Sequence, residues 1–217
     1  MQVKICGVTQ VGQARAIAQM GATALGFICV PASPRYVDAD HISAIAAALE
    51  ANAKTRQVER IGVFVDAPVD QIQQTVVQAQ LTGVQLHGSE PPEMAQALKR
   101  AMPDIRIIKA FRLRSPTSLL AVEHYRANVD ALLLDAFHPK AHGGTGQTLD
   151  WTTLRSFQPK LPWFLAGGLT PANITQALEQ IHPDGIDLSS GVEQAPGQKD
   201  LQKVTQLFHS LATICAI

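Results

Sequence analysis

The chain has 217 residues, 46% of them hydrophobic and 17% charged, and its 18 basic and 18 acidic side chains cancel to a formal charge of zero. So much apolar residue excludes a disordered chain, and folding at this length withdraws roughly 70% of the unfolded surface from water, enough for a core without disulfide or metal staples. Balanced charge with no Lys/Arg block argues against a nucleic-acid surface, and no uninterrupted apolar run is long enough to span a bilayer.

The three cysteines, Cys6, Cys29 and Cys215, are widely spaced and form neither a disulfide framework nor a CxxC pair. Together with a start, MQVKICGVTQ, that lacks a secretory apolar stretch, they point to the reducing cytoplasm.

Short β-rich runs alternate with helical stretches along the chain. Strands are expected over residues 3–6, 24–28, 60–65, 84–87, 105–110, 131–135, 163–166 and 185–188. Helices are expected over 10–20, 41–51, 69–80 and 201–211, the first two Ala-rich and the third apolar at helical spacing. A weak internal repeat supports the alternation. Cys6-Gly7-Val8-Thr9 leads from a strand to a helix, and so does Gly167-Gly168-Leu169-Thr170-Pro171. In each, Thr is suited to cap the helix, and Pro171 suits a first turn. Eight units at about 27 residues each are near the minimum length for βα units. Such an α/β pattern closes into a (β/α)8 TIM barrel, with an open doubly wound sheet as the competitor. No GxGxxG run follows the first strand, which favours the barrel. No linker divides the chain, so residues 1–217 are expected to form a single domain.

In such barrels chemistry sits at the C-terminal ends of the strands. Alternation along strand one puts Lys4 and Cys6 on the interior face, with Val3 and Ile5 outside. Asp135 ends strand six, and Asp187 alternates with Ile186 and Leu188 on strand eight. Each has a plainer reading. A lone Cys is often a small buried hydrophobe, and an Asp at a strand end often only makes a turn. Their common location at one rim is what singles them out.

Gly167 and Gly168 follow strand seven, and Ser189, Ser190 and Gly191 follow strand eight, where these barrels bind phosphate on backbone N–H groups. Arg35, in Ser33-Pro34-Arg35-Tyr36, offers a planar fork suited to a carboxylate, or is an ordinary surface Arg. The glycine run at 143–146 is either a lid or a connector. His138 and His142 have metal-like spacing in a loop, but nothing completes a zinc set. His87 shares a face with Gln85 and either lines the mouth or is a hydrogen-bonded structural residue.

Taken in order, KICGVT at 4–9, GF at 26–27, SPRYV at 33–37, GVFVD at 62–66, VQLHG at 84–88 and IKAFR at 108–112 form a family pattern. It continues with LLLDA at 132–136, GGTG at 143–146, LAGGL at 165–169 and DLSSGVEQAPGQKD at 187–200. The set resembles the phosphoribosylanthranilate isomerase family of tryptophan biosynthesis. The resemblance implies a monomeric (β/α)8 barrel that uses no metal and no organic cofactor. The substrate it implies is N-(5-phosphoribosyl)anthranilate, a small phosphosugar, rearranged in an Amadori reaction. It makes Cys6 the general base, Asp135 the general acid and Arg35 the partner of the anthranilate carboxylate. Gly167, Gly168, Ser189, Ser190 and Gly191 match the phosphate loops, with Asp187 beside them at the substrate site. Cys29, where many relatives carry an aromatic, and Leu149, where Phe is usual, depart from the pattern. For work near pH 7, burial is expected to raise Asp135 and Lys4 to lower Cys6. A histidine-pathway isomerase would need an Asp where strand one has Cys6. A non-catalytic phospholigand-binding barrel would need neither the thiol nor the acid.

Overall fold

The computed structural model describes residues 1–112, 116–135, 151–155 and 157–215. Eight parallel strands close on themselves in sequence order: β1 (Gln2–Cys6), β2 (Ala24–Ile28), β3 (Glu59–Phe64), β4 (Gly83–Leu86), β5 (Arg106–Arg112), β6 (Ala131–Asp135), β7 (Trp163–Ala166) and β8 (Gly185–Leu188). Closure is made by β1 lying between β2 and β8, with Lys4 opposite Ala24 on one side and Asp187 on the other. Every expected strand is present to within two residues. The helices around the barrel are α1 (Val11–Gln19), α2 (Ala39–Glu50), α3 (Val69–Gln78), α4 (Pro92–Ala101), α5 (Ile174–Gln180) and α6 (Leu201–Cys215). Short 3₁₀ stretches, Pro116–Tyr125 and Trp151–Leu154, follow β5 and β6 among the described residues. No described helix is long and apolar enough to cross a membrane.

Strand alternation sorts the apolar residues into two cores. Val3, Ile5, Leu25, Phe27, Leu132, Leu134 and Leu165 face outward and pack under the helices. Ala24, Ile61, Ile108, Ala110, Ala131, Leu133, Phe164 and Ala166 fill the interior. Small residues on neighbouring strands make room for Phe164: a Cβ on Gly185 would lie 2.5 Å from its ring. At the N-terminal end the filling turns polar. Arg106 Nη1 donates to Glu59 Oε2 at 2.7 Å and Gln2 Oε1 at 3.0 Å, with its guanidinium over the Phe164 ring.

Three local features differ from the sequence expectation. Thr9 does not cap α1; Gln10 holds that position, and the Thr9 hydroxyl donates to the Gly197 carbonyl. The helix after β7 starts at Ile174 rather than at Thr170 or Pro171. Asn173 causes the delay, its Oδ1 accepting from Thr170 N–H at 2.8 Å and its Nδ2 donating to Gly168 O at 2.9 Å. A hairpin of β9 (Glu193–Ala195) and β10 (Gln198–Lys199) was not expected, although Pro196-Gly197 is a turn signal and Gly197 has φ +79°. His138, His142, the glycine run at 143–146 and Leu149 lie outside the described residues.

Candidate active site

The thiol comes first in the chain. Lys4 and Cys6 both point into the barrel, where the Lys4 side chain is fully buried and donates to Asp187 Oδ1 at 3.0 Å. Gly26 on β2 provides the space: a Cβ there would stand 2.6 Å from Cys6 Sγ and 3.0 Å from Lys4 Nζ. Burial pushes the Cys6 thiol above its ordinary range. Lys4 and Lys199 pull it down, but Asp187 pushes it up, and burial prevails. Lys4 thus lowers the thiol as expected, but burial, which the sequence did not reveal for this residue, outweighs it and leaves the net shift upward. For Lys4 itself burial works downward, yet Asp187 and Cys6 hold the ammonium above its usual value. Cys29, half-buried on Phe27 O, is pushed up to about 12, mainly by burial, and offers no second thiolate near neutral pH.

Asp135 ends β6, three strands from β1 around the barrel, with Arg112 and Ala166 as its neighbours in register. Its Oδ2 is 3.7 Å from His87 Nε2. Gln85, buried one pleat below on β4, places Nε2 at 2.8 Å from His87 Nδ1. With Nδ1 accepting, the proton of the neutral imidazole sits on Nε2, the nitrogen nearer Asp135. His87 is thus both hydrogen-bonded and at the mouth, two readings that the sequence left as alternatives.

Arg35 arrives from the loop after β2 and is held by Glu193. Nε donates to Oε1 at 2.9 Å and Oε2 at 3.1 Å, and Nη2 donates to Oε2 at 2.6 Å. Lys199 Nζ reaches the same carboxylate at 2.7 Å and the Ser189 carbonyl at 3.3 Å. Burial pushes Glu193 up, but Arg35 and Lys199 outweigh it and hold the carboxyl below its usual range. Gly7, beside Cys6, lets this group close in: a Cβ there would lie 2.7 Å from Arg35 Cδ and 3.2 Å from Ser189 Oγ. Neither Glu193 nor Lys199 was singled out from sequence, although both flank the Pro196-Gly197 turn.

Gly167 and Gly168 adopt φ +89° and +66°, the left-handed region that side chains with a Cβ disfavour. No atom lies within 4 Å of where a Gly168 Cβ would stand, so that backbone is open to an approaching group. Ser189 follows β8, and Ser190–Val192 forms a 3₁₀ turn. Gly191 abuts the other loop so closely that a Cβ would meet the Leu169 carbonyl at 1.9 Å. The two glycine loops therefore form one continuous wall. No group of three His, Cys, Asp or Glu is placed to hold a metal among the described residues.

Closed parallel barrel and polar C-terminal rim together define an enzyme of the (β/α)8-barrel class. The model of the N-(5'-phosphoribosyl)anthranilate (PRA) isomerase family matches residues 3–210. The chain belongs to that family. A relative from Acaryochloris marina, named N-(5'-phosphoribosyl)anthranilate isomerase, is 57% identical over 215 residues, which is 99% of either chain. The solved phosphoribosyl anthranilate isomerase of Thermotoga maritima superposes with a TM-score of 0.88 at 32% identity, covering 98% of this chain and 99% of its own. Another solved isomerase, at TM-score 0.84 and 30% identity over 98% of this chain and 99% of its own, is in complex with reduced 1-(o-carboxyphenylamino)-1-deoxyribulose 5-phosphate.

Proposed function

We propose that the protein, an isomerase of tryptophan biosynthesis, converts N-(5'-phosphoribosyl)anthranilate to 1-(2-carboxyphenylamino)-1-deoxyribulose 5-phosphate with Asp135 as general acid and Cys6 as general base. The observation that carries this reading is a thiol on β1 and a carboxylate on β6 at one rim of a closed barrel. Asp135 gives its proton to the furanose ring oxygen as the bond from that oxygen to C1 breaks, leaving a Schiff base to the anthranilate nitrogen. Cys6, as thiolate, removes the proton from C2, and those electrons form the C1–C2 double bond of an enolamine. Protonation at C1 and loss of the hydroxyl proton at C2 then give the ketone. Each proton transfer of this kind is worth about 10²–10⁴-fold.

The substrate's two anionic ends give the mouth its orientation. Gly167, Gly168, Ser189, Ser190 and Gly191 take the phosphate, Arg35 takes the anthranilate carboxylate, and Asp187 steadies Lys4 beside the base. Holding both ends spends binding energy on placing C1 and C2 between acid and base. Arg35→Ala is therefore expected to raise KM about 10- to 100-fold with a much smaller effect on kcat. Steady-state kinetics on freshly made substrate, followed as loss of its fluorescence, measures this; an unchanged KM would remove Arg35 from the carboxylate.

Because burial raises the Cys6 thiol, kcat/KM rises with pH as the thiolate forms. Lys4→Met removes a stabilising charge and leaves Asp187 facing the sulfur, so this rising limb moves to higher pH. A pH–rate profile with an unmoved limb would show that Lys4 does not tune the base.

The same reading takes residues 1–217 as one domain and the protein as a cytoplasmic monomer. Supporting it, Cys6 and Cys29 are free thiols, and the exposed large apolar side chains among the described residues, Met1, Tyr36, Val65 and Val77, come from four separate segments. Light scattering giving twice the mass of one chain would overturn the monomer.

A further inference from the structure

The arrangement around Arg35 has an unusual charge balance. Glu193 opens β9 and Lys199 ends β10, and the hairpin register sets the two directly across from each other. The Glu193 side chain is only 4% exposed, against 23% for Arg35. Its two oxygens are saturated by Arg35 Nε and Nη2, Lys199 Nζ and the Gly197 N–H at 3.1 Å. A carboxylate so fully engaged has no capacity left for a ligand. Its effect is on the guanidinium.

Arg carries five N–H donors in a rigid plane. Glu193 takes the Nε–H and one N–H of Nη2, which leaves the edge formed by Nη1 and the other N–H of Nη2. Among the described residues Nη1 has no partner. That edge is a second two-pronged fork, matched to a second carboxylate. Charge alone would oppose a second anion, since an Arg–Glu pair is neutral. Lys199 changes the sum: two cations around one carboxylate leave the group with one net positive charge.

We propose that Glu193 is a positioning residue for Arg35, holding the guanidinium by its Nε edge so that the Nη edge receives the substrate's aryl carboxylate, with Lys199 keeping the receptor cationic. This rests on the assignment of Arg35 to that carboxylate. Lys199 also ties the receptor to the Ser189 carbonyl, so the grip on the carboxylate and the loop after β8 are fixed to one point.

The test compares wild type, Arg35→Ala and Glu193→Gln in steady-state kinetics, with inorganic phosphate as a competitive inhibitor probing the phosphate end alone. Glu193→Gln is expected to raise KM by about tenfold or more while kcat stays within about threefold and the phosphate inhibition constant within about twofold. A purely structural role would raise the phosphate constant along with KM, and that result overturns the proposal. So does an unchanged KM in Glu193→Gln beside a raised KM in Arg35→Ala, which would leave the Arg35 assignment standing. An unchanged KM in Arg35→Ala overturns both. Should Glu193→Gln fail to fold, Glu193→Asp keeps a carboxylate between the two cations but shortens its reach to Arg35, and the same two constants decide the question.

Discussion

Replacing Cys6 with serine is expected to lower kcat about 10²–10⁴-fold, with KM within a few-fold of wild type. A hydroxyl in place of the thiol keeps the shape of the side chain but ionises far outside the working range, so the base is lost while the mouth is preserved. Gly26 already leaves room opposite Sγ, and the smaller oxygen introduces no clash. Thermal unfolding of Cys6→Ser should therefore match wild type, which separates a chemical loss from a folding defect. Asp135→Asn should fail in the same way, since an amide N–H is far too weak an acid to protonate the ring oxygen. Turnover by Cys6→Ser at the wild-type rate would exclude the thiol as the base.

The largest loss of stability is expected at Lys109, which plays no part in the chemistry. Its Nζ lies 2.7 Å from Glu90 Oε2, both side chains almost wholly buried, and it also donates to the Gly88 carbonyl at 2.8 Å. Glu90 accepts in turn from the Asp66 and Gly88 N–H groups, which fixes the loops after β3 and β4. Lys109→Met strands Glu90 as a buried carboxylate, a change that costs about 3–5 kcal/mol. Urea denaturation measures it. Lys109→Met/Glu90→Gln should recover much of the loss, because the unpaired charge is gone. A single variant no worse than the double would show that the pair is not what holds these loops.

The same pair has an acid signature. Burial pushes the Glu90 carboxyl up, but the Lys109 hydrogen bond, the Asp66 N–H and the Lys109 charge outweigh it and hold the folded-state value below the ordinary one. A depressed carboxyl contributes stability above its unfolded pKa and loses it as pH falls through the folded one. The unfolding free energy of wild type should thus decline below about pH 4.3 more steeply than that of the double variant.

What the sequence made legible follows from periodicity. The interior strands are short β-branched or Leu-rich runs bounded by turns, and period-two alternation alone put Lys4 and Cys6 inside and Val3 and Ile5 outside. α4 escaped notice because the apolar residues of Pro92–Ala101 are mostly small, and its buried stripe is reduced to Ala95 and Leu98. Its start is set instead by Pro91 and Pro92. Asn173 delayed a helix through side-chain bonds to the Thr170 N–H and the Gly168 carbonyl, a capping habit of Asn that the Thr170-Pro171 pair masked in the sequence. Glu193 and Lys199 were hidden for a different reason: a charged residue reads as solvated surface until its partners are known, and Glu193 joins Lys199 across the hairpin to Arg35, 158 residues from Glu193 in the chain. The direction of the Cys6 shift depends on how deeply the thiol sits and on which group already holds Lys4, both properties of the closed barrel.

The Arg106–Glu59–Gln2 plug under the Phe164 ring makes the barrel a cup instead of a tube. A cup has one opening. Reactant and product share a single doorway, so product must vacate before the next molecule is admitted and should inhibit by simple competition. The sealed base carries no traffic at all. Another protein could be tethered to that end of the barrel without obstructing entry to the reaction chamber.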